Sequence, residues 1–299
     1  MKRILLFVIT NLAIVFVLMI AFNVICALLG IDGRAWLTDE GLNYAALLTF
    51  ALVFGMGGAV ISLLMSKPIA KWTTRAQTID GTEGSAERWL VDTVAQLAER
   101  ANVKMPEVAI YPGEPNAFAT GAFRNHALVA VSTGIMEKMT REELRAVLGH
   151  EMSHVANGDM VTMTLVQGVL NACVIFLSRA IAFAADNAMN NGKERRRSGG
   201  GTYYIVAFAL ELLLGVLASI IVCAYSRRRE YAADGGSAKL LGSPASMIAA
   251  LRRLGNLQPG VLPNSLRAMG ISGKTRASLF STHPPLEARI EALQNFVPS

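Results

Sequence analysis

Residues 140–158 read TREELRAVLGHEMSHVANG. Thr140 and Glu143 form the capping-box signature of a helix start, Leu144, Val147 and Leu148 repeat at helical spacing, and Gly158 is a good C-terminal stop. This helix contains His150-Glu151-Met152-Ser153-His154. Residues four apart share a helix face, so both imidazoles can bind one Zn²⁺ at about 2.0–2.1 Å. Glu151 then stands beside the metal as general base for a bound water whose pKa the metal brings near 7. Two of the chain's four histidines are spent here. The competing reading is a pair of ordinary helix-surface histidines.

Outside this helix the chain is unusually apolar. Of 299 residues, 53% are hydrophobic and 17% charged, where soluble domains average about 45–50% and about 25%. No charge occurs in residues 4–31, 41–66 or 160–178, and about 20 apolar residues suffice to span a bilayer. A purely soluble protein is excluded, and so is a simple membrane bundle, because long charged, periodic stretches separate the runs. The net charge of +6 does not point to nucleic acid. Its basic residues (Lys2, Arg3; Lys67, Lys71; Arg227, Arg228, Arg229) flank apolar runs, as membrane orientation by the positive-inside rule requires. Cys26, Cys173 and Cys223 sit inside apolar runs without CxxC spacing and read as small buried hydrophobes. The first run is too long for a signal-peptide core and reads as a retained anchor.

Four regions follow. Residues 1–66 form an N-terminal transmembrane hairpin. Residues 67–159 are the first part of a polar domain, with a helix started by Ser85 (Trp89, Leu90, Val94, Leu97), short strands at 107–111, 117–120 and 127–132, and the histidine helix. Residues 160–225 are a second apolar hairpin. Residues 226–299 return to polar character, with a helix start at Ser243-Pro244 and a final helix striped by Leu286, Ile290 and Leu293. The expected fold is α+β and mainly helical, with a small antiparallel sheet and about four transmembrane helices. The basic flanks put the N-terminus and the polar domain in the cytoplasm.

A catalytic zinc needs a third protein ligand. Asn157 and Met160 occupy the positions where the longer H-E-x-x-H-x-x-G-x-x-H motif has Gly and His, so a downstream carboxylate must serve. Asp186, Glu194 and Glu211 lie in or between the apolar segments. Glu230 follows the last of them, with Asp234 one helical turn on, so Glu230 can ligate while Asp234 accepts a hydrogen bond from a ligand histidine. The alternative is a solvated Glu230 paired with Arg227 or Arg229. Asp159 reads as a capping or supporting group, and His126 as structural.

The ordered set His150-Glu151-x-x-His154, Glu230-x-x-x-Asp234 and Thr282-His283-Pro284-Pro285, with two N-terminal anchors, resembles the HtpX family of bacterial membrane zinc metalloproteases. That family is related to the prenyl-protein (CaaX) processing membrane proteases, and the resemblance spans essentially the whole chain. It implies a gluzincin-like site with one zinc on His150, His154 and Glu230, and Glu151 as base. It also implies a multi-pass protein of the inner membrane, with its active site in the cytoplasm, that degrades misfolded or damaged membrane proteins under heat stress. His283 matches the family's His-Pro motif and is placed to steady an oxyanion; a helix-entry histidine is the plain alternative. The segment Asn116-Ala117-Phe118-Ala119-Thr120-Gly121 matches the family's edge strand, where substrate could add as an extended strand. Asn116 is then a candidate for contacting substrate or oxyanion, or an ordinary turn asparagine. Expected partners are membrane-protein substrates and the lipid bilayer, with no nucleic acid.

The histidines precede the second apolar hairpin and Glu230 follows it, so both ends of that hairpin must meet on one side of the membrane. If it spans, its tip lies outside although Lys193, Arg195, Arg196 and Arg197 make it basic, against the positive-inside tendency. Arg179 and Glu211 lie at similar depths and are expected to pair. An intramembrane-cleaving enzyme would need an apolar zinc helix, whereas this one carries Arg141, Glu142, Glu143 and Arg145. A non-enzymatic membrane scaffold with an accidental motif is the remaining alternative.

Overall fold

The computed structural model describes residues 2–33, 37–38, 41–189, 201–256 and 279–296. The expectation for the basic hairpin tip (Lys193 to Arg197) falls outside them. In chain order the elements are α1 (Lys2–Leu29), the short strands β1 (Leu37–Thr38) and β2 (Gly41–Leu42), α2 (Tyr44–Thr74), β3 (Gln77–Ile79), α3 (Ser85–Arg100), β4 (Glu107–Tyr111), β5 (Ala117–Thr120), β6 (Leu128–Ser132), α4 (Thr133–Lys138), α5 (Arg141–Asn157), α6 (Asp159–Met189), α7 (Gly201–Leu241), α8 (Ala245–Asn256) and α9 (Leu286–Gln294). Among the described residues, α1, α2, α6 and α7 are long and apolar enough to cross a membrane. Two compact units result.

The first unit comprises Met1–Ser62 and Thr164–Ile221. Its helices turn large apolar side chains outward, among them Phe16, Leu28, Leu52, Leu177, Ile205 and Leu212, as expected where lipid is the solvent. Lipid offers no hydrophobic drive between helices, so close packing must hold them. Small residues supply it. A Cβ on Gly55 would collide with the backbone of Ala172, and one on Gly168 would stand 3.2 Å from the Cα of Met56. Arg179 pairs with Glu211 at 3.4 Å, as expected from their depths, and its guanidinium lies 5.7 Å from the Phe50 ring centre.

The second unit comprises Leu63–Met163 and Val222–Ser299. Its sheet has the order β3-β4-β6-β5. The expectation of an antiparallel sheet needs correction: β3–β4 and β5–β6 are antiparallel, but β4 and β6 run parallel. After β4 the chain does not fold back as a hairpin. It skips one strand position to form β5, and β6 returns to fill the gap between them in the direction of β4. Alternate residues face opposite sides of a strand. On one face Val108, Val129, Val131, Ala117 and Ala119 pack with Leu90, Val94 and Leu97 of α3, Leu148 and Met152 of α5, and Leu251 of α8. On the other, Ala109, Tyr111, Phe118, Leu128 and Ala130 pack on Ala70 of α2.

The capping box of α5 is formed, with the Glu143 N–H donating to Thr140 Oγ1 at 3.2 Å and the Thr140 N–H to Glu143 Oε2 at 2.8 Å. Gly158 closes the helix at φ +66°, where glycine is favoured. Ser85 is not the cap of α3; Gly84 holds that position and Ser85 is the first helical residue. Two helices outrun their apolar runs: α2 continues through Pro68 to Thr74, and α7 continues past Arg227, Arg228 and Arg229 to Leu241.

Candidate metal centre

One turn of α5 separates His150 from His154, whose rings lie perpendicular with centres 4.7 Å apart. The helix α7 reaches them because small residues line the contact. A Cβ on Gly236 would come within 2.5 Å of Ser153 Oγ, and one on Gly149 within 2.9 Å of Ser237 Oγ. The Ser237 hydroxyl donates to the Ala146 carbonyl at 2.8 Å. This close approach brings Glu230 and Asp234, one turn apart on α7, against the two histidines.

The nitrogens His150 Nε2 and His154 Nε2 are 3.1 Å apart, and Glu230 places Oε2 3.6 Å from the first and Oε1 3.4 Å from the second. Ligands tetrahedrally disposed about zinc at about 2.0–2.1 Å are themselves about 3.3–3.4 Å apart. The outward-facing nitrogens fit the same reading. His150 Nδ1–H donates to Asp234 at 2.9 Å and His154 Nδ1–H to Asp159 at 2.6 Å. A carboxylate can only accept, so each Nδ1 carries its proton and each Nε2 turns a lone pair inward. Glu230 Oε2 is buried with no hydrogen-bond partner. Two lone pairs and a carboxylate oxygen converging in a buried space are a donor set for a cation, and His150, His154 and Glu230 are the metal-binding candidate among the described residues.

The protonation energetics agree. Burial holds His150 neutral, below its ordinary value, against the pull of Asp234. Burial also opposes charge on His154, but Asp159 and Glu230 outweigh it and lift that imidazole to about 10. Without a cation, then, a proton takes its place. Burial works against the charge of Glu230, yet His283, His154 and Arg289 keep its carboxyl well below the usual range. Burial lifts Glu151 to about 7, with Glu230 adding and His154 opposing. The backbone of Ala119 on β5 lies close enough to the Glu151 carboxylate to favour its charge, so the strand at the sheet edge and the second residue of the motif are neighbours.

The other expected residues take definite places. His283 Nδ1 stands 2.8 Å from Glu230 Oε2, and neither ring nitrogen has hydrogen-bond geometry to a partner. Its segment is clamped by Arg227, which donates to the carbonyls of Leu279 and Ser281. Arg229 donates to the Asp159 carbonyl. Both arginines offered as partners for Glu230 are thus engaged with backbone carbonyls. Asn116 is buried; its Oδ1 accepts the Ala117 N–H, and its own N–H donates to Ser132 Oγ. Ala117, Phe118 and Ala119 lie on the edge strand β5.

One residue escaped the sequence reading. Arg289 of α9 is 1% exposed, donates to both oxygens of Asp234 at 2.8 and 2.7 Å, and reaches Glu230 at 3.4 Å. The signal was present: Arg289 falls on the Leu286, Ile290, Leu293 stripe, and a cation in a buried stripe requires an anion.

An H-E-x-x-H helix, a glutamate on a second helix and an edge strand beside them, on a chain with four membrane-length helices among its described residues, define a membrane metalloprotease. Residues 85–297 match the description "Peptidase family M48", and the chain belongs to that family. It is 57% identical over 295 residues to a Protease HtpX homolog of Verminephrobacter eiseniae, and 55% identical over 295 residues to that of Paracidovorax citrulli, covering 99% of both chains in each case. It is 56% identical over 298 residues to the Bordetella pertussis homolog, again covering 99% of each chain. It is thus an HtpX-type M48 metalloprotease of the membrane. The crystal structure of S. mikatae Ste24p shares its fold, with a TM-score of 0.58 at 19% identity, covering 82% of this chain and 58% of that one.

Proposed function

We propose that the protein is a zinc endopeptidase of the bacterial inner membrane that hydrolyses misfolded or damaged membrane proteins at the cytoplasmic face. The observation that carries the reading is the inward convergence of two imidazole lone pairs and the Glu230 carboxylate in a buried space. One zinc per chain, held by His150, His154 and Glu230, would supply an acidified water and polarise the scissile carbonyl. The chain's own groups do the rest. Glu151, with its carboxyl near 7, is poised both to take a proton from the attacking water and to return it to the leaving amine. His283 is the candidate donor to the developing oxyanion. The segment 116–119 offers an extended edge to which substrate backbone can add, with Ala119 beside Glu151. The basic flanks Lys2, Arg3, Lys67 and Lys71 support the cytoplasmic side, and the likeness to HtpX supports the stress role.

The test is Glu151→Gln, assayed on an unfolded membrane protein with zinc content measured alongside. Zinc should stay bound while cleavage falls by about 10²–10⁴-fold. Cleavage at the wild-type rate overturns the mechanism.

A further inference from the structure

The second unit carries an exposed feature that the catalytic site does not use. The connection from β5 to β6 turns its tip outward at Phe123, Arg124, Asn125 and His126, and Phe123 is 61% exposed. The loop before β4 is tied to this tip. The Lys104 N–H donates to Asn125 Oδ1, and Arg124 donates to the carbonyls of Ala101 and Asn102. Met105 is exposed in the same loop. The result is an apolar point, Phe123 with Met105, rimmed by Lys104, Arg124 and His126.

The orientation of this tip can be read within the unit. Lys67 and Lys71 of α2 both pair with Glu107 at the start of β4, and the Glu107 N–H donates to the Ala127 carbonyl at the base of the tip. At the other end of β4, Gln77, just past the end of α2, pairs with Ile110. The last turns of α2 therefore run along β4 from Glu107 toward Tyr111. Lys67 directly follows the charge-free run that ends at Ser66. The end of the sheet that bears the tip is thus the end at which α2 emerges from its apolar run, and the tip projects beyond Glu107 in that direction.

We propose that this tip is a second membrane contact, with Phe123 and Met105 seated in the headgroup layer and Lys104 and Arg124 against anionic lipid. An aromatic inserted at the interface within a cationic rim is the chemistry of peripheral membrane anchoring, and here it lies at the end of the sheet that Lys67, directly after a charge-free run, also reaches. Because β5 runs into the tip, the contact holds the edge strand at the membrane surface, where a segment leaving the bilayer would be met. That last consequence rests on the proteolytic reading; the lipid contact does not.

The test uses the full chain carrying Glu151→Gln, with Cys26, Cys173 and Cys223 replaced by alanine, in vesicles of phosphatidylethanolamine and phosphatidylglycerol. One environment-sensitive fluorophore is attached at His126→Cys on the tip or at Gly113→Cys at the opposite end of the sheet, where an added Cβ meets only the Tyr111 ring at 3.6 Å. Lipid bearing a headgroup nitroxide should quench the tip label about threefold more than the distal one. Phe123→Ser should bring the tip close to the distal value, with an unchanged melting temperature showing that the fold is intact. Replacing phosphatidylglycerol by phosphatidylcholine should reduce the difference. Equal quenching at both positions, or shielding of the tip only when an unfolded polypeptide is added, overturns the proposal.

Discussion

In the catalytic unit, Arg289, Asp234, Glu230, His150 and His154 form one buried ionic cluster supplied by α5, α7 and α9, with Asp159 joining at the start of α6. In the membrane unit, Arg179 and Glu211 form an ion pair at 3.4 Å, with Arg179 also donating to the Ile175 carbonyl and Ser178 Oγ. The two solve different problems. The pair has only to neutralise charge between apolar helices, and its geometry is loose. The cluster has to fix the direction of each lone pair, so its carboxylates and imidazoles face more than one partner. Asp234, for instance, receives two bonds from Arg289 and one from His150. Burial of charge is a weak argument for stability; over-determination of position is an argument for function.

The largest effect should come from opening the cluster. Arg289→Met keeps the length of the side chain but leaves Asp234 and Glu230 buried without their cation, and removing one partner of a buried pair costs about 3–5 kcal/mol. Thermal unfolding of the metal-free protein should show that loss, with metal binding weakened in parallel. A melting temperature within a degree of wild type would mean that the cluster is no more demanding than the membrane pair.

Next come the groups behind the histidines. Asp159→Asn and Asp234→Asn preserve shape but can present an N–H to the imidazole where only an acceptor belongs. Loss of such supporting carboxylates typically weakens metal affinity about 10–100-fold, which competition with a chelator measures directly. Asp234→Asn should be the worse of the two because it also faces Arg289. Unchanged affinity in both would show that the histidines orient themselves.

Removal of the metal exposes a pH dependence whose sign is fixed. His154 is lifted from 6.5 to about 10, so its stabilisation is complete below 6.5 and lost as pH rises toward 10. Glu151, lifted from 4.5 to about 7, loses along with it between those values. Glu230 and Asp234 are held low and contribute above their ordinary 4.5 and 3.8, losing this in acid, while His150, kept neutral, opposes folding below 6.5. The metal-free protein should be most stable at about pH 6, and metal affinity should climb with pH as the cation displaces the His154 proton. Melting curves at pH 5, 6, 7 and 9 that rise steadily instead would contradict the cluster's charge balance.

The same contrast explains what could be read from the residues alone. The histidine helix is legible because its start, its face and its stop are local: Thr140, Glu143 and Gly158 are within one element. The apolar runs are legible because lipid imposes a composition. The parallel pairing of β4 and β6 depends on where strands meet, which three short segments do not encode, and β3, with only Gln77, Thr78 and Ile79, is too short to show periodicity. The extent of α7 was hidden because Arg227 to Arg229 mark a membrane boundary, and a helix need not end where the lipid does. Arg289 was hidden for the opposite reason: its partners lie on another helix, and only the apolar stripe around it hinted that it was buried.

The smallest effect should be the most discriminating. Arg179→Leu alone strands Glu211 on an apolar helix, and an unpaired charge at the centre of a membrane span costs about 2.5–3.5 kcal/mol on insertion scales. Replacing both residues by leucine removes the charge and the need for it together, and should return stability to within about 1 kcal/mol of wild type. The matching double replacement in the other unit, Asp234→Leu with Arg289→Leu, also removes both partners. It nevertheless takes away the group that fixes the proton on His150 Nδ1, so metal affinity should fall although charge is balanced. Measured side by side, the two double variants separate charge neutralisation from lone-pair placement. If the Arg179/Glu211 double variant kept its melting temperature but lost cleavage, the membrane pair would have a functional task, and the distinction between the two clusters would fail.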